Sequence, residues 1–245
     1  MFVVAHVDDF LCSGKSSDIH WMKTELEKKF GLTSQIIGPG QSGNYLGRAI
    51  SWESDGISIE GENKYLDTMI LQWGLGNAGG LSTPGCNEDK RETGGEEELC
   101  PRLTTAFRRS AAMANYMAQD RPDISFASKE VSRGMACPTR LDTVKLKSLI
   151  RYLSGARRRA IKHTWQDPTV QLSVYSDSDW AGCVKTRRST SGGVVLHGEH
   201  LVHHWSSTQA TIALSSAEAE LNAIVKGVAE SICIKSMLAE CSRVC

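Results

Sequence analysis

No stretch of the 245-residue chain approaches the ~20 consecutive apolar residues that a membrane span requires, so no membrane partner is expected. The opening MFVVAHVDDF has no basic start and reaches two aspartates almost at once, unlike a secretory signal peptide. None of the eight cysteines (Cys12, Cys86, Cys100, Cys137, Cys183, Cys233, Cys241 and Cys245) forms a C-x-x-C pair. Such scatter fits free thiols in a reducing compartment better than a disulfide framework or a zinc site. Net charge is absent as well, with 28 Lys plus Arg against 28 Asp plus Glu, but the balance hides a local gap. Between Thr143 and Thr164 there is no acidic residue, and after Asp179 there is no aspartate.

What is present describes a folded chain: 40% hydrophobic residues, 23% charged residues and six tryptophans argue against disorder, and the length allows one large or two small domains. Phe2–Val7 and Phe10–Cys12 flank Asp8 and Asp9 as a hairpin with an acidic tip. Asp18 is placed to cap a helix with Ile19, Met22, Leu26 and Phe30 on one face and Gly31 as its stop. Tyr45–Trp52 and Gly56–Ile59 read as paired strands, and Lys64–Trp73 as a helix. From Gly74 to Glu98 the sequence turns Gly-rich and charged, the pattern of a linker or long loop. Its G-x-G-x-x-G string, Gly74 to Gly79, neither follows a strand nor opens a helix, so it is no dinucleotide fingerprint. Residues 104–165 read as helices. Their core faces are Phe107, Ala111, Ala114 and Met117, then Ile124, Ala127, Val131 and Met135, then Leu146, Leu149, Ile150 and Leu153. Gln171–Asp177, Gly193–His197 and His200–Trp205 return to strands. A helix from about Ser215 then carries Leu214, Glu218, Leu221, Ile224, Val225 and Val228.

Three constellations bear on chemistry. Asp8 and Asp9 are adjacent carboxylates at a strand end, the hard oxygen donors that Mg²⁺ prefers; a solvated acidic turn is the plainer alternative. Asp177 also ends a strand, and Glu220 opens the last helix, where the same metal chemistry competes with ordinary helix capping. If that helix packs so that Glu220 faces Asp177, the two share one site. Lys145, Lys147, Arg151, Arg157, Arg158, Arg159 and Lys162 fill the acid-free stretch with Tyr152 and Trp165 nearby. They read either as a phosphate-backbone track or as a solvated face. His197, His200, His203 and His204 lack the companions of a metal site and read as hairpin histidines.

Taken in order, these strings resemble copia-type LTR retrotransposon Pol polyproteins. Val7-Asp8-Asp9, Asn44-Tyr45-Leu46-Gly47, Lys64-Tyr65-Leu66 and Ser82-Thr83-Pro84 resemble the C-terminal part of a reverse transcriptase. Arg121-Pro122-Asp123-Ile124-Ser125-Phe126 and Ile150-Arg151-Tyr152-Leu153-Ser154-Gly155 resemble the helical region after it. Tyr175–Gly182, Arg188–Gly192 and Ala213–Glu220 resemble the N-terminal part of the ribonuclease H domain. The resemblance implies an α+β chain in four parts: a palm remnant (1–73), a Gly-rich linker (74–98), a helical thumb or connection (99–168) and a partial ribonuclease H-like α/β domain (169–245). It implies Asp8 and Asp9 as polymerase metal ligands, Asp177 and Glu220 as ribonuclease H metal ligands, Mg²⁺ or Mn²⁺ as cofactor and an RNA–DNA hybrid as partner. An intracellular setting follows, a cytoplasmic particle or the nucleus.

The departures from that pattern are specific. His6 replaces the usual tyrosine beside the paired aspartates, and only seven residues precede Asp8, so the earlier polymerase aspartate and the fingers are expected to be missing. With no aspartate after Asp179, the later ribonuclease H ligands are expected to be missing too. Both activities are therefore expected to be weak or absent in the chain alone, unless other parts of Pol complete the sites. The alternative is a non-catalytic nucleic-acid-binding remnant that uses the basic helical segment.

Overall fold

The computed structural model describes residues 1–31, 33–86 and 97–243. It is a mixed α+β molecule. Strands β1 (Phe2–His6) and β2 (Asp9–Ser13) form a hairpin in which His6 opposes Asp9, so Val7-Asp8 is a two-residue turn with Val7 at φ +56°. Helix α1 (Ser16–Lys29) follows, with Lys15 rather than Asp18 at its N-cap; Asp18 lies in the first turn, where a carboxylate still favours the helix dipole. Ile19, Met22 and Leu26 are only partly covered and Phe30 is exposed, so this face holds no buried residue.

Next comes an antiparallel sheet ordered β3-β4-β5-β6, from β3 (Ser42–Tyr45), β4 (Arg48–Glu53), β5 (Gly56–Gly61) and β6 (Ile161–Thr164). The expected strand over Tyr45–Trp52 is broken. Leu46 (φ +48°) and Gly47 (φ +72°) make a two-residue turn that lets Tyr45 pair with Arg48. Positive φ at both turn positions matches the right-handed twist of the flanking strands. The expectation of helix throughout 104–165 also fails at its end, because β6 adds to β5 with Gly56 opposite Thr164 and Ile59 opposite Ile161.

The core belongs to four helices: α2 (Lys64–Trp73), α3 (Pro101–Met117), α4 (Ser125–Arg133) and α5 (Arg140–Gly155). Leu66, Met69, Phe107, Ala111, Ala114, Ile124, Val131, Leu146, Leu149, Ile150 and Leu153 are buried together. The 3.6-residue spacing of α3 to α5 thus buries the faces it predicts. Helix α2 packs with these helices rather than with the segment before it, and Gly74, in the left-handed region at φ +64°, caps it. Part of the expected linker is seated too: Leu75 and Leu81 pack on the core, and Gly80 lies so close to Gly155 that a Cβ at Gly80 would be 3.0 Å from its Cα. Residues 87–96 of that linker fall outside the described residues. At α5, Thr139 and Asp142 form a reciprocal capping box.

The last unit is a three-stranded antiparallel sheet, β7 (Leu172–Asp179), β8 (Thr190–His197) and β9 (His200–Thr208), with the long helix α6 (Ser216–Arg243) on one face. The apolar residues expected to set its faces do not make the contact: Leu221, Ile224, Val225 and Val228 are exposed. The small residues Ala219 and Ala223 are buried instead. Small residues let the helix approach the sheet closely, and a Cβ at Gly227 would meet the Val174 side chain at 3.2 Å.

Candidate functional site

Strand alternation decides what Asp177 can reach. Successive side chains on β7 point to opposite faces, and cross-strand partners share a face. Ser178, Ser191 and Ser207 form a row toward α6: Ser178 Oγ donates to Glu220 Oε1 (2.8 Å), and Lys226 Nζ donates to Ser207 Oγ (2.8 Å). Asp177, opposite Gly192, therefore faces away from α6. It lines an open cleft of about 470 Å³ with Tyr175 and Asp179, and Pro122, Ser125 and Phe126 of the helical unit form the far wall. The shared site anticipated from an inward-facing Glu220 is not formed, because the sheet stands between the two carboxylates and Ser178 takes the place opposite Glu220. Asp179, two residues along on the same face, is the carboxylate that accompanies Asp177. Period-two alternation was the signal for it.

Asp8 and Asp9 are both exposed at the first hairpin, Asp8 in the turn and Asp9 opening β2. Among the described residues, no group of three or more His, Cys, Asp or Glu side chains is placed to hold a metal ion. Mg²⁺ takes one or two carboxylates and keeps several waters, so Asp177 with Asp179 offers the oxygen chemistry of one weak site. Two-metal chemistry needs more ligands than either acidic cluster assembles, and the residues present do not fit it.

The basic stretch changes character once folded, because the acids absent from its sequence arrive from elsewhere. Arg157 pairs with Asp67 on α2 (2.8 Å), and Arg158 grips Glu60 on β5 through two nitrogens (3.0 and 3.1 Å). Lys162 bridges Glu53 and Asp55 (2.9 and 2.8 Å); hydrogen bonds to Asp55 and Glu53 raise its pKa, while the Ser58 hydroxyl and then Lys162 lower that of Glu53, and Lys162 lowers that of Asp55. Arg151 donates to the Gly79 carbonyl (2.8 Å), Lys147 lies over the Trp73 ring and Arg159 approaches both Asp123 (3.8 Å) and the Tyr152 ring. Lys145 is on the same helix, α5.

One reactive side chain escaped the sequence reading. Cys183, in the β7–β8 connection, accepts from Arg133 (2.7 Å) and from the Thr186 backbone N–H (3.4 Å). Burial alone would raise the thiol pKa, but hydrogen bonds from Thr186 and Arg133 and the nearby guanidinium bring it down to about 7. Arg133 lies far from Cys183 in sequence, so no local pattern announces the pair.

The chain is 28% identical over 231 residues to an uncharacterized mitochondrial protein of Arabidopsis thaliana, covering 94% of this chain and 92% of that protein. It is 27% identical over 241 residues to the retrovirus-related Pol polyprotein from transposon RE1 of Arabidopsis thaliana, and 28% identical over 252 residues to that from transposon TNT 1-94 of Nicotiana tabacum. Each alignment takes in 98% of this chain, which spans 16% and 18% of the two polyproteins. No family model matches the chain, and no solved structure does.

Proposed function

We propose that the chain, similar along 98% of its length to the retrovirus-related Pol polyproteins of copia-type transposons, is the segment joining reverse transcriptase to ribonuclease H. Residues 1–73 supply the end of the palm, the helical unit the thumb or connection, and 169–245 the first part of the nuclease domain. Its chemical contribution is Asp177, at the mouth of the cleft that takes the RNA–DNA hybrid, with Mg²⁺ or Mn²⁺ as the ion of the complete enzyme.

The observation that supports this reading most is the pair Asp177 and Asp179 on the cleft face of β7. That strand is at the edge of its sheet, with its outer side unpaired among the described residues. An edge strand is where a further strand can add, and with it further carboxylates. Until those arrive, the ligands are too few, so the chain alone is proposed to be inactive and the larger polyprotein to be the nuclease. The reading of a stand-alone binder built on the basic stretch loses force, because Arg157, Arg158 and Lys162 spend their charge on Asp67, Glu60, Glu53 and Asp55.

The test is hydrolysis of a labelled RNA–DNA hybrid with Mg²⁺ or Mn²⁺, by this chain and by a full-length polyprotein carrying it, each with and without Asp177→Asn. Cutting by the polyprotein alone, lost with Asp177→Asn, is the expected pattern. Cutting that survives Asp177→Asn in the polyprotein removes Asp177 from the site.

A further inference from the structure

The last sheet docks on the rest of the molecule through histidines, and one of them is held in a way that a proton would undo. His200, at the start of β9, donates from Nε2 to the Thr164 carbonyl of β6 (2.7 Å), which leaves Nδ1 as an acceptor facing Gln166 Nε2 (3.4 Å). The Gln166 amide cannot turn over. Its Oε1 accepts from the Glu199 backbone N–H (2.9 Å), and its Nε2 donates to the His197 carbonyl (3.1 Å). Both partners are backbone groups with a fixed role, so an N–H at His200 Nδ1 would meet an N–H of Gln166. The His163 ring of β6 adds to the conflict, standing edge-on to His200 with ring centres 5.2 Å apart; burial and this neighbour lower the His163 pKa.

Other groups around the seam do not relieve the clash. Lys162 is on the opposite face of β6 and tied to Glu53 and Asp55. His197 already donates to the Thr169 carbonyl (2.8 Å), and Glu199 is exposed, where solvent and salt screen it. His204, further along β9, is a useful contrast. It donates from Nε2 to the Gln119 carbonyl (3.1 Å), and its Nδ1 faces the Ser125 hydroxyl (3.0 Å), which can rotate and accept instead. Asp177 and Asp179 share the cleft with His204, while Lys129 is turned to Thr190 (2.7 Å). Protonation therefore leaves the α4 end of the seam intact and strikes the β6 end.

We propose that the contact between β6 and β9 is a proton-operated latch: uptake of one proton by His200 releases the β7–β9 sheet from β6 while its contact with α4 persists. The released state binds one more proton than the docked state, so docking is favoured at higher pH and weakens as pH falls, with a limiting slope of about tenfold per pH unit.

Hydrogen exchange of the whole chain, corrected for intrinsic rates, reads this directly. Between pH 6.5 and 5.5, protection in residues 163–171 and 197–201 is expected to fall about fivefold while α3 to α5 keep theirs, which also shows that the protein remains folded. His200→Gln keeps a side-chain donor but has no proton to take up, and should hold the seam at pH 5.5. Gln166→Glu presents an acceptor to the new N–H, and should reverse the trend so that the seam tightens as pH falls. Equal wild-type protection at both pH values, or a loss in Gln166→Glu as large as in the wild type, overturns the latch.

Discussion

Removing the charge of Asp123 should cost more than any other single polar change in the helical unit. Arg121 grips Asp123 through two hydrogen bonds, Nε to Oδ1 (2.9 Å) and one terminal nitrogen to Oδ2 (2.8 Å), and Tyr152 donates its hydroxyl to Oδ2 (2.7 Å). The Arg121 side chain is only 7% exposed and that of Asp123 22%, so the guanidinium has little water to fall back on. Breaking a buried ion pair from one side costs roughly 3–5 kcal/mol, because the remaining charge stays buried without compensation. Asn at position 123 keeps one acceptor oxygen, and Asp123 is partly open, so the low end applies: about 3 kcal/mol. With a urea slope near 2 kcal/mol per molar, that moves the unfolding midpoint down by roughly 1.5 M. Replacing both partners, Arg121→Met with Asp123→Leu, removes the orphaned cation and should cost clearly less than Asp123→Asn alone. The acid limb gives a second readout. Burial pushes the Asp123 carboxyl up, but Arg121, Tyr152 and Arg159 together more than reverse this and hold it below the ordinary 3.8. Its folded pKa is depressed, so its stabilisation is present above pH 4 and lost as pH falls through the lower folded value. Asp123→Asn should flatten the unfolding profile there. A midpoint shift under ~0.5 M, or a double variant less stable than the single one, would defeat the reasoning.

Cys183 should be the first thiol alkylated by iodoacetamide near neutral pH, with half-maximal rate near pH 7, and Arg133→Gln should move that midpoint upward; an unchanged midpoint means the guanidinium does not hold the thiolate. At Gly193 on β8, an added Cβ would run into the Trp205 ring, so Gly193→Ala should displace that ring and destabilise the last sheet by about 1–3 kcal/mol. A red-shifted tryptophan emission with a lower melting temperature is the expected signature, and an unaltered spectrum counts against the packing.

What could be read from the sequence followed the range over which each rule acts. Helices α3 to α5 declare themselves because large apolar residues recur with the helical period and all face one core. Helix α6 misled for the complementary reason: its contact with the sheet is made by Ala219, Ala223 and Gly227, too small to register against Leu221, Val225 and Val228 on the outer face. Strand β6 has only four residues, and its partner β5 lies on the far side of the helical unit in sequence, so nothing local distinguishes it from the end of a helix. The turn at Leu46-Gly47 carried only half a signal: Gly47 suits a positive φ, but Leu46, at φ +48°, is not among the residues that announce such a turn.

The acid-free stretch shows the same limit for the candidate site. Counting charges along the chain makes Arg157, Arg158 and Lys162 an uncompensated patch, whereas the fold delivers Asp67, Glu60, Glu53 and Asp55 to them. The strings that carry the family resemblance divide in a related way. Arg121-Pro122-Asp123-Ile124 and Ile150-Arg151-Tyr152-Leu153-Ser154-Gly155 are far apart in sequence, yet Tyr152 reaches Asp123, and Gly155 allows the backbone near Gly80 to lie against α5. These strings are spent on packing, and changing them should first change stability. Asp8, Asp9, Asp177 and Asp179 are exposed at strand ends and tips, where the core gains nothing from them. A carboxylate on which folding does not depend is free to serve a reaction, and by that criterion Asp177 and Asp179 on the cleft face outrank Glu220, whose oxygen already holds Ser178 to α6.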